Sequence, residues 1–506
     1  MTDRGRAHTV LTLNTLAFTV CFACWTMNGV LVAHLIDQQL FTWDAAQIGW
    51  LIGIPVLSGS ILRLPVGVLT DKYGGRIVFT VLMLVSAVPM YLMSYANSFD
   101  EFMWGSLGFG LAGAGFAVGI AYTSVWFPPE RQGTALGIFG IGNAGSAVTS
   151  MGAPFVLRAL SEGGNNPDGW RALPQIYAAA LVVMSIVFYL TTYSRRVAHG
   201  HELTLVERLA PLKSMRVWRF GLYYFLVFGA FVALAQWLIP YYVNVYAMSV
   251  VTAGLMASIF SLPSGVIRAL GGWMSDKFGA RNIMYWVFGF CLVGLAGLCV
   301  PRMDIQSPGE GVMAARAGTV TAVSPTEIVV DGRRYPLRAR SAQTGVDDDT
   351  MLVLPTLSSW QEPVVQVGQE VPKRQLLAKG VTHIYFQANV WIFTFLVFIV
   401  GIAMGIGKAG VYRYIPDYFP KDVGVVGGVV GVIGGLGGFF CPIVFGYLLR
   451  ATGIWTTTWF FLAALSLVCL VWLHLVVQRM LRLEAPVAMR HIEATRPEDT
   501  LEPTYG

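Results

Sequence analysis

The chain reads Arg63-Leu-Pro-Val-Gly67-Val-Leu-Thr-Asp71-Lys72-Tyr-Gly74-Gly-Arg76 in its first half, and the same pattern returns between Arg268 and Arg281. The second copy lies 205 residues after the first. Each leading arginine lies inside an apolar run and comes eight residues before the aspartate, which is about 12 Å along a helix. The two copies therefore predict an internal repeat, with one buried arginine at the same depth in each half.

The composition indicates a membrane protein. Of the 506 residues, 55% are hydrophobic and only 12% are charged. Runs of about 20 apolar residues are long enough to cross a bilayer as helices. We predict an all-α membrane protein with twelve transmembrane helices in two pseudo-symmetric six-helix bundles. The expected spans are 10–36, 47–70, 77–96, 102–126, 133–157, 173–194, 220–244, 250–274, 282–301, 386–410, 423–449 and 454–478.

One segment inside the second half differs in composition from its surroundings. Residues 302–384 are charged, Val-rich and interrupted by turn residues. Asp331-Gly332 between two Val-rich runs is a hairpin signal. The later Val365–Val371 and Leu376–Gly380 stretches resemble the strand pairs of small barrel-sandwich modules. We predict a small β-rich insert between helices nine and ten, which is either decorative or serves partner binding or gating.

The predicted domain organisation follows from these features. It comprises an N-terminal bundle at 1–200, a cytoplasmic linker at 201–219, bundle helices seven to nine at 220–301, the extracytoplasmic insert at 302–384, bundle helices ten to twelve at 385–480, and a polar, disordered cytoplasmic tail at 481–506.

Basic residues concentrate on one predicted side of the membrane. Lys72, Arg131, Lys277 and Lys421 fall in predicted inner loops, whereas the short outer loops carry mainly aspartate and glutamate. Cytoplasmic loops are enriched in lysine and arginine, so we expect both termini on the cytoplasmic side of the inner membrane. This bias explains the net charge of +6 and requires no nucleic-acid partner.

Several classes of site find no support in the sequence. All six cysteines fall in predicted helices, and the Cys21-x-x-Cys24 pair has no histidine or carboxylate near it in sequence, so it is interpreted as packing. The sequence shows no nucleophile–base pair, nucleotide loop or metal-ligand spacing. We therefore expect no enzyme activity, no cofactor and no metal site.

The buried arginines suggest an anionic ligand. The middle of every predicted span lacks an acidic residue, so Arg63 and Arg268 have no obvious carboxylate partner at their depth. An unpaired arginine at the centre of a membrane helix costs at least about 2.5–3.5 kcal/mol, and two such charges repel each other. A visiting anion would relieve both costs, and the planar guanidinium fits planar oxyanions. Pairing with helix-end carbonyls or with the loop aspartate remains an alternative.

The repeated loops carry a recognisable signature. Its members follow helices two and eight, and they are Gly67, Asp71, Lys72 and Arg76 in the first copy and Gly272, Asp276, Lys277 and Arg281 in the second. This pattern resembles the loop signature of the major facilitator superfamily, which has it at both positions. The resemblance implies the twelve-helix major facilitator fold and a gating role for these residues at the inner face, without substrate contact.

Two glycine-rich phrases occupy equivalent helices, the fifth and the eleventh. Their glycines are Gly137, Gly140, Gly142 and Gly145, then Gly428, Gly431, Gly434, Gly435, Gly437 and Gly438. In membranes, glycines at three- and four-residue spacing let helix backbones touch. Asn143 stands among the first set, and a mid-helix amide needs a partner, for which a polar ligand is one candidate.

These phrases, together with Gly407-Lys408-Ala-Gly-Val-Tyr412, resemble the nitrate signatures of the nitrate/nitrite porter family. The resemblance covers the chain except for the insert and the tail. It implies a nitrate or nitrite site in a monomeric carrier in the lipid bilayer. The implied substrate-binding residues are Arg63, Arg268, Asn143, Tyr224, Phe228 and Phe116.

The coupling mode stays open at this point. Proton symporters commonly use a buried Asp, Glu or His, and no span carries one at its centre, which favours exchange of nitrate against nitrite. The Gly-Lys-Ala-Gly-Val-Tyr phrase instead resembles the subgroup regarded as nitrate/proton symporters. Lys408 is either a snorkelling anchor or a third cation at the exit. A carrier of another small anion, such as a monocarboxylate or phosphate, and a non-transporting anion sensor are the alternative functions.

Overall fold

The computed structural model describes residues 3–195, 210–300, 303–339, 356–386, 389–419 and 423–493. The chain forms two compact units. The helical unit contains residues 1–299 and 394–506, and the smaller unit runs from Val300 to Phe393.

A helical stretch lies at each of the twelve predicted spans, and we label these stretches α1 to α12. In the first half they are α1 (Asp3–Trp25 and Met27–Asp37), α2 (Ala45–Ile61 and Arg63–Tyr73), α3 (Gly75–Leu92), α4 (Phe99–Phe109 and Gly115–Trp126), α5 (Pro129–Gly140 and Gly145–Leu160) and α6 (Ala172–Thr191). In the second half they are α7 (Met215–Tyr224 and Phe231–Tyr246), α8 (Val250–Val266 and Arg268–Phe278), α9 (Ala280–Leu298), α10 (Val390–Tyr418), α11 (Val423–Thr452) and α12 (Thr457–Glu493).

Within the described residues, ten helices are long and apolar enough to cross a membrane, and α8 adds an eleventh if its two segments, bent by 45°, count as one span. The remaining stretch, α5, is rich in glycine and is divided by a 3₁₀ turn at Ile141–Ala144. The predicted class, an all-α membrane protein with a β-rich insert, is confirmed.

Two predicted boundaries need correction. The tenth span begins at Val390 instead of residue 386, because the preceding strand continues to Phe386. The twelfth helix continues to Glu493, so the tail predicted to be disordered from 481 is helical over its first part. Leu, Glu, Ala, Met and Arg dominate that stretch and are good helix formers, which extends the preceding helix. The rest of the tail, 494–506, and most of the predicted linker, 196–209, lie outside the described residues.

Both repeated arginines stand at a helix break. The first segment of α2 ends at Ile61 and that of α8 ends at Val266, so Arg63 and Arg268 each open the second segment. In α2 the break is consistent with Pro65, whose ring crowds the carbonyl of Ile61 four residues earlier. The sequence had suggested one continuous helix through each arginine, and this expectation is corrected.

The ends of α2 and α8 are built alike in the two halves. Asp44 caps α2 by accepting a hydrogen bond from the Gln47 amide at 2.8 Å, and Ser249 caps α8 by accepting one from the Thr252 amide at 3.2 Å. At the other ends, Gly74 and Gly279 have φ of 86° and 82°, which favours glycine strongly over any other residue. We call the side with these two glycine loops the signature side, and the side with Asp44 and Ser249 the far side.

The two halves meet along α2 and α11, and their separation changes along these helices. On the far side, a Cβ added to Gly53 would lie 2.7 Å from the Phe439 carbonyl oxygen. Nearer the middle, a Cβ on Gly438 would lie 2.9 Å from Val56 Cγ1. Towards the signature side, a Cβ on Gly428 would meet nothing closer than Leu64 Cδ2 at 3.8 Å. The helix backbones therefore touch on the far side and separate towards the signature side.

The symmetry-related pair, α5 and α8, shows the same change in helix separation from the far side to the signature side. A Cβ on Gly254 would lie 2.8 Å from Pro154 Cγ, and one on Gly265 would lie 3.0 Å from the Ala144 amide nitrogen. A Cβ on Gly137, near the signature side, would lie 3.9 Å from Ala269 Cα. In both pairs, the helices are in contact on the far side and apart on the signature side. The structure is therefore closed on the far side.

The smaller unit consists of two antiparallel sheets. Its strands are β1 (Met303–Met313), β2 (Gly318–Val323), β3 (Glu327–Val330), β4 (Arg333–Pro336), β5 (Thr356–Pro363), β6 (Glu370–Val371) and β7 (Leu376–Phe386), in the orders β1-β7-β5 and β4-β3-β2-β6. Val320, Ile328 and Leu377 lie in its core. The predicted hairpin is confirmed, since Asp331 and Gly332 link β3 to β4 with φ of 44° and 78°.

Candidate anion-binding site

The two arginines of the repeat lie together at the centre of the helical unit. Arg63 is 4% exposed and Arg268 is 9% exposed. Their guanidinium carbons lie 5.2 Å and 5.4 Å from the centroid of one ring, that of Phe116. One arginine comes from each half, so the structure brings together the residues that the repeat predicted at matching depth.

The hydrogen-bond donors of these arginines are only partly used. Nη1 of Arg63 donates to the carbonyl of Gly431 at 2.8 Å, whereas its Nε and Nη2 have no partner in the described part of the chain. Nη1 of Arg268 likewise has none. Leaving a buried donor unpaired costs about 1–3 kcal/mol, and more when the group is charged. A ligand with several acceptor oxygens would remove this cost.

Carboxylates do not neutralise the pair in the part of the chain that the structure describes. The ion pairs found in the helical unit lie at helix ends, as in Arg413 with Asp276 at 2.7 Å and Arg450 with Asp44 at 3.3 Å. The sequence left open that the arginines bind helix carbonyls, and one nitrogen of Arg63, Nη1, does so. Asp276 pairs with Arg413 and so does not serve Arg268.

Aromatic rings form the walls of the site. Tyr224 and Phe228 stack with centroids 4.9 Å apart, and Phe228 lies 6.1 Å from Phe116. The Arg63 guanidinium carbon is 5.2 Å from the Phe228 ring. Phe116 and Phe228 therefore lie against the arginines, and Tyr224 backs Phe228. The Tyr224 hydroxyl is buried and makes no hydrogen bond to the residues that the structure describes, so it is a candidate to bind a ligand oxygen.

Two further aromatic residues that were not among the predicted substrate-binding residues also lie at the site. Tyr412 lies 5.9 Å from the Arg268 guanidinium and packs edge-on against Tyr224 at 5.0 Å. Trp25 lies 5.7 Å from the Arg63 guanidinium. The Gly407–Tyr412 phrase already pointed to Tyr412, whereas nothing distinguishes Trp25 from the other aromatic residues in the sequence.

Asn143 is fully buried, but its amide faces its own helix. Its Nδ2 donates to the Gly140 carbonyl at 2.8 Å, and its Oδ1 accepts no hydrogen bond from any residue that the structure describes. Gly140 adjoins the site, because a Cβ there would lie 3.1 Å from Arg268 Cδ. Asn143 therefore lies one helical turn from a residue that touches the arginine, and its direct role in binding stays a prediction.

Comparison with known proteins agrees with this geometry. The family profile of the Major Facilitator Superfamily matches residues 14–346 and 376–498. A Thermus thermophilus protein named "Probable nitrate/nitrite antiporter NarK1" is 38% identical over 480 residues, covering 94% of this chain and 93% of its own. The chain belongs to the nitrate/nitrite porter family of the major facilitator superfamily. The porter is also similar to the "Nitrite extrusion protein" of Bacillus subtilis, 26% identical over 93% of this chain and 95% of that protein.

Solved structures support the fold of the porter. A bacterial homolog of the human lysosomal transporter Spinster superposes with a TM-score of 0.61, 14% identity and 99% coverage of both chains. The nucleoside transporter NupG gives a TM-score of 0.57 at 12% identity, with 92% of this chain and 98% of that chain covered. At such low identity these matches establish the fold and nothing about the substrate.

The signature glycines of the porter divide into two groups. Gly142, Gly145, Gly434 and Gly437 pack inside their own halves, as shown by Gly434, where a Cβ would lie 2.8 Å from Tyr224 Cγ. Gly137, Gly140, Gly428 and Gly435 face the opposite half, whereas Gly431 and Gly438 lie between side chains of both halves. A Cβ on Gly435 would lie 3.2 Å from Arg63 Nη1. One glycine string therefore shapes the aromatic wall and also forms the contact between the halves.

The signature loops make different contacts in the two halves. Arg76 donates from Nε to the Tyr189 carbonyl at 2.9 Å, whereas Nη2 of Arg281 lies 3.9 Å from the Met480 sulfur. Asp276 forms its ion pair with Arg413 on α10. The ammonium groups of Lys72 and Lys277 lie over neighbouring aromatic rings of their own helices. The gating role predicted for the eight loop residues stays a prediction.

Lys408 is not a snorkelling anchor. Its side chain is fully buried, and its Nζ donates to the Ser264 hydroxyl at 3.2 Å. Nζ also lies 3.0 Å from the centroid of the Phe231 ring. Of the two alternatives left open for Lys408, the snorkelling anchor does not fit, because the ammonium points into the helical unit instead of towards the membrane surface.

We expect Arg450→Gln to weaken closure on the far side. Arg450 and Asp44 join α11 to α2 across the two halves at 3.3 Å, and both side chains are about half exposed. Exposed ion pairs contribute about 0.2–1 kcal/mol, so the closed population should fall at most about fivefold. Thiol labelling of a cysteine introduced at Ala46, which is buried against Gly446 of α11 in this conformation, would measure the closed population with and without the Arg450 change. Unchanged labelling would contradict a closing role for this pair.

Proposed function

We propose that this porter moves nitrate, nitrite or both across the cytoplasmic membrane by alternating access. One observation carries the proposal: two buried guanidinium groups, contributed by different halves, lie against the same Phe116 ring with donors unused. An anion between them would neutralise charge and satisfy donors from both halves at once. Sites formed at the interface of repeats are the usual arrangement in such carriers.

The chemistry of the site favours a small planar anion. Each guanidinium presents forked donors in a plane, and the aromatic walls leave few polar groups for a heavily hydrated ion. Nitrate is planar, carries one charge and is weakly hydrated. The names of the Thermus and Bacillus relatives refer to nitrate and nitrite, which supports the same choice.

The proposed orientation places the signature side in the cytoplasm. The basic residues of the predicted inner loops support it, since cytoplasmic loops are rich in lysine and arginine. The conformation described here would then be closed to the outside. In the proposed cycle, an anion bound to Arg63 and Arg268 offsets their repulsion and lets the signature side close while the far side opens.

Counterflow tests the substrate. Purified porter in liposomes is loaded with unlabelled nitrate or nitrite, and entry of labelled nitrate is followed at equal pH on both sides. We expect labelled nitrate to enter faster than into empty liposomes, and external nitrite to compete with it. Entry that is blocked by a monocarboxylate or phosphate but not by nitrite would assign the protein to the other anion carriers.

Deletion of residues 305–380 separates a transporter from a sensor. The β-rich unit forms a compact body of its own, so its removal leaves the helical unit with its arginine pair. We expect nitrate uptake to persist in the shortened protein. An intact porter that binds nitrate without any flux would instead indicate an anion sensor.

A further inference from the structure

Lys408 is a buried cation that the anion site does not explain. The partners described for its ammonium are the Ser264 hydroxyl at 3.2 Å and the Phe231 ring at 3.0 Å. No carboxylate pairs with it among the described residues. A lysine ammonium in such an apolar place is costly, and the group can avoid the cost by releasing its proton.

The internal repeat places Lys408 at the position of Phe116. Gly115-Phe116-Ala117 continues without a gap to Tyr122 and Phe127-Pro128, and Gly407-Lys408-Ala409 continues with the same spacing to Tyr414 and Phe419-Pro420. Phe116 is the residue whose ring contacts both arginines. By the symmetry of the two halves, Lys408 therefore belongs to the same central layer of the protein as the anion site.

Arg268 lies one helical turn after Ser264, the hydrogen-bond partner of Lys408, on the same broken helix. The elements packed against this part of helix α10 present uncharged groups: Phe231 of α7 lies against the Lys408 ammonium, and Val227 of α7 and Val287 and Met284 of α9 lie against the neighbouring Gly407 and Gly410. Arg268 thus repels a proton on Lys408, whereas an anion bound at Arg268 cancels that repulsion.

We propose that Lys408 is the proton-binding residue of the transport cycle and that its amine is protonated together with nitrate binding at the arginine pair. This inference rests on the proposed function. On the entry side, the amine lone pair takes a proton from water; on the exit side, that N–H bond breaks and the proton returns to water as the anion leaves. Each cycle then moves one nitrate and one proton, with no net charge.

The stoichiometry gives a quantitative test in liposomes. With one proton for each nitrate, every pH unit of imposed gradient should drive about tenfold nitrate accumulation, and internal pyranine fluorescence should report acidification. Lys408→Met lacks the titratable amine but keeps the apolar stem. We expect it to retain nitrate counterflow at lower affinity and to lose both the accumulation and the acidification. Lys213→Met, at an exposed lysine, serves as the matched control and should behave like the wild type.

Lys408→Arg provides a second variant if the methionine protein does not fold. Arginine keeps the positive charge but does not release its proton, so it too should lose gradient-driven accumulation. Wild-type proton influx in either variant would overturn the inference. Counterflow in the wild-type protein without any proton response would also overturn it while leaving the proposed function intact. Absence of nitrate counterflow in the wild type would instead refute the proposed function.

Discussion

Arg63→Lys and Arg268→Lys should each abolish most nitrate transport, with a loss of roughly 10- to 150-fold in apparent affinity. Lysine retains the charge but replaces the planar fork with a single ammonium, so at least one charge-assisted hydrogen bond to the anion is lost. Hydrogen bonds to charged groups contribute about 1.5–3 kcal/mol, which corresponds to that range. Equilibrium binding of labelled nitrate and initial uptake rates in liposomes would measure both effects.

The matched control for these variants is Arg158→Lys. Arg158 lies in the last turn of α5 and is exposed, away from the arginine pair. The Arg158→Lys variant should leave nitrate uptake and binding unchanged. An effect seen only at Arg63 or Arg268 is then due to loss of the guanidinium at the site and not to a general effect of replacing arginine by lysine. Wild-type transport by both Arg63→Lys and Arg268→Lys would remove the basis for the proposed anion site.

Gly434→Ala should disrupt the aromatic wall of the site. A Cβ at this position would lie 2.8 Å from Tyr224 Cγ and 2.9 Å from its Cβ, so the Tyr224 ring must move. Tyr224 stacks on Phe228, which in turn contacts Arg63. Overpacking of this kind costs about 1–3 kcal/mol, so we expect nitrate affinity to fall about 5- to 150-fold if the whole cost falls on the site.

Gly289→Ala is the corresponding control in the same half. Nothing lies within 4 Å of a Cβ added at Gly289, so the added methyl group meets open space. The thermal stability of both variants in detergent, with and without nitrate, would show whether the cost falls on folding or on binding. If Gly434→Ala binds nitrate as tightly as Gly289→Ala does, the position of Tyr224 does not matter for the substrate.

Much of the architecture could be predicted from the sequence. The spans followed from the length of apolar runs, because a helix needs about 20 apolar residues to cross the hydrocarbon core. The hairpin at Asp331-Gly332 followed from a local turn preference. The matching positions of Arg63 and Arg268 followed from the repeat. Each of these features depends on residues that are close together in sequence or on a pattern that is present twice.

The errors also have local causes. The boundary of α10 was placed too early, because β7 and the start of the helix are both apolar and differ only in conformation. The tail was predicted to be disordered from its charged and Pro-containing composition, yet its helix-forming residues continue α12 to Glu493. The break at Leu62 was missed, although Pro65 lies three residues after it.

By itself, the sequence determined that this is a helical membrane protein of the major facilitator fold, with a repeated motif that carries one arginine in each half. Only the tertiary structure decided that both guanidinium groups share the Phe116 ring, that Gly431 accepts a hydrogen bond from Arg63, and that Lys408 points inwards to Phe231. The reason is physical. Lipid-facing and core-facing surfaces of a membrane helix are both apolar, so hydropathy does not fix the rotation of a helix about its axis. That rotation is set by close packing between helices that are distant in sequence, and it determines which side chains meet.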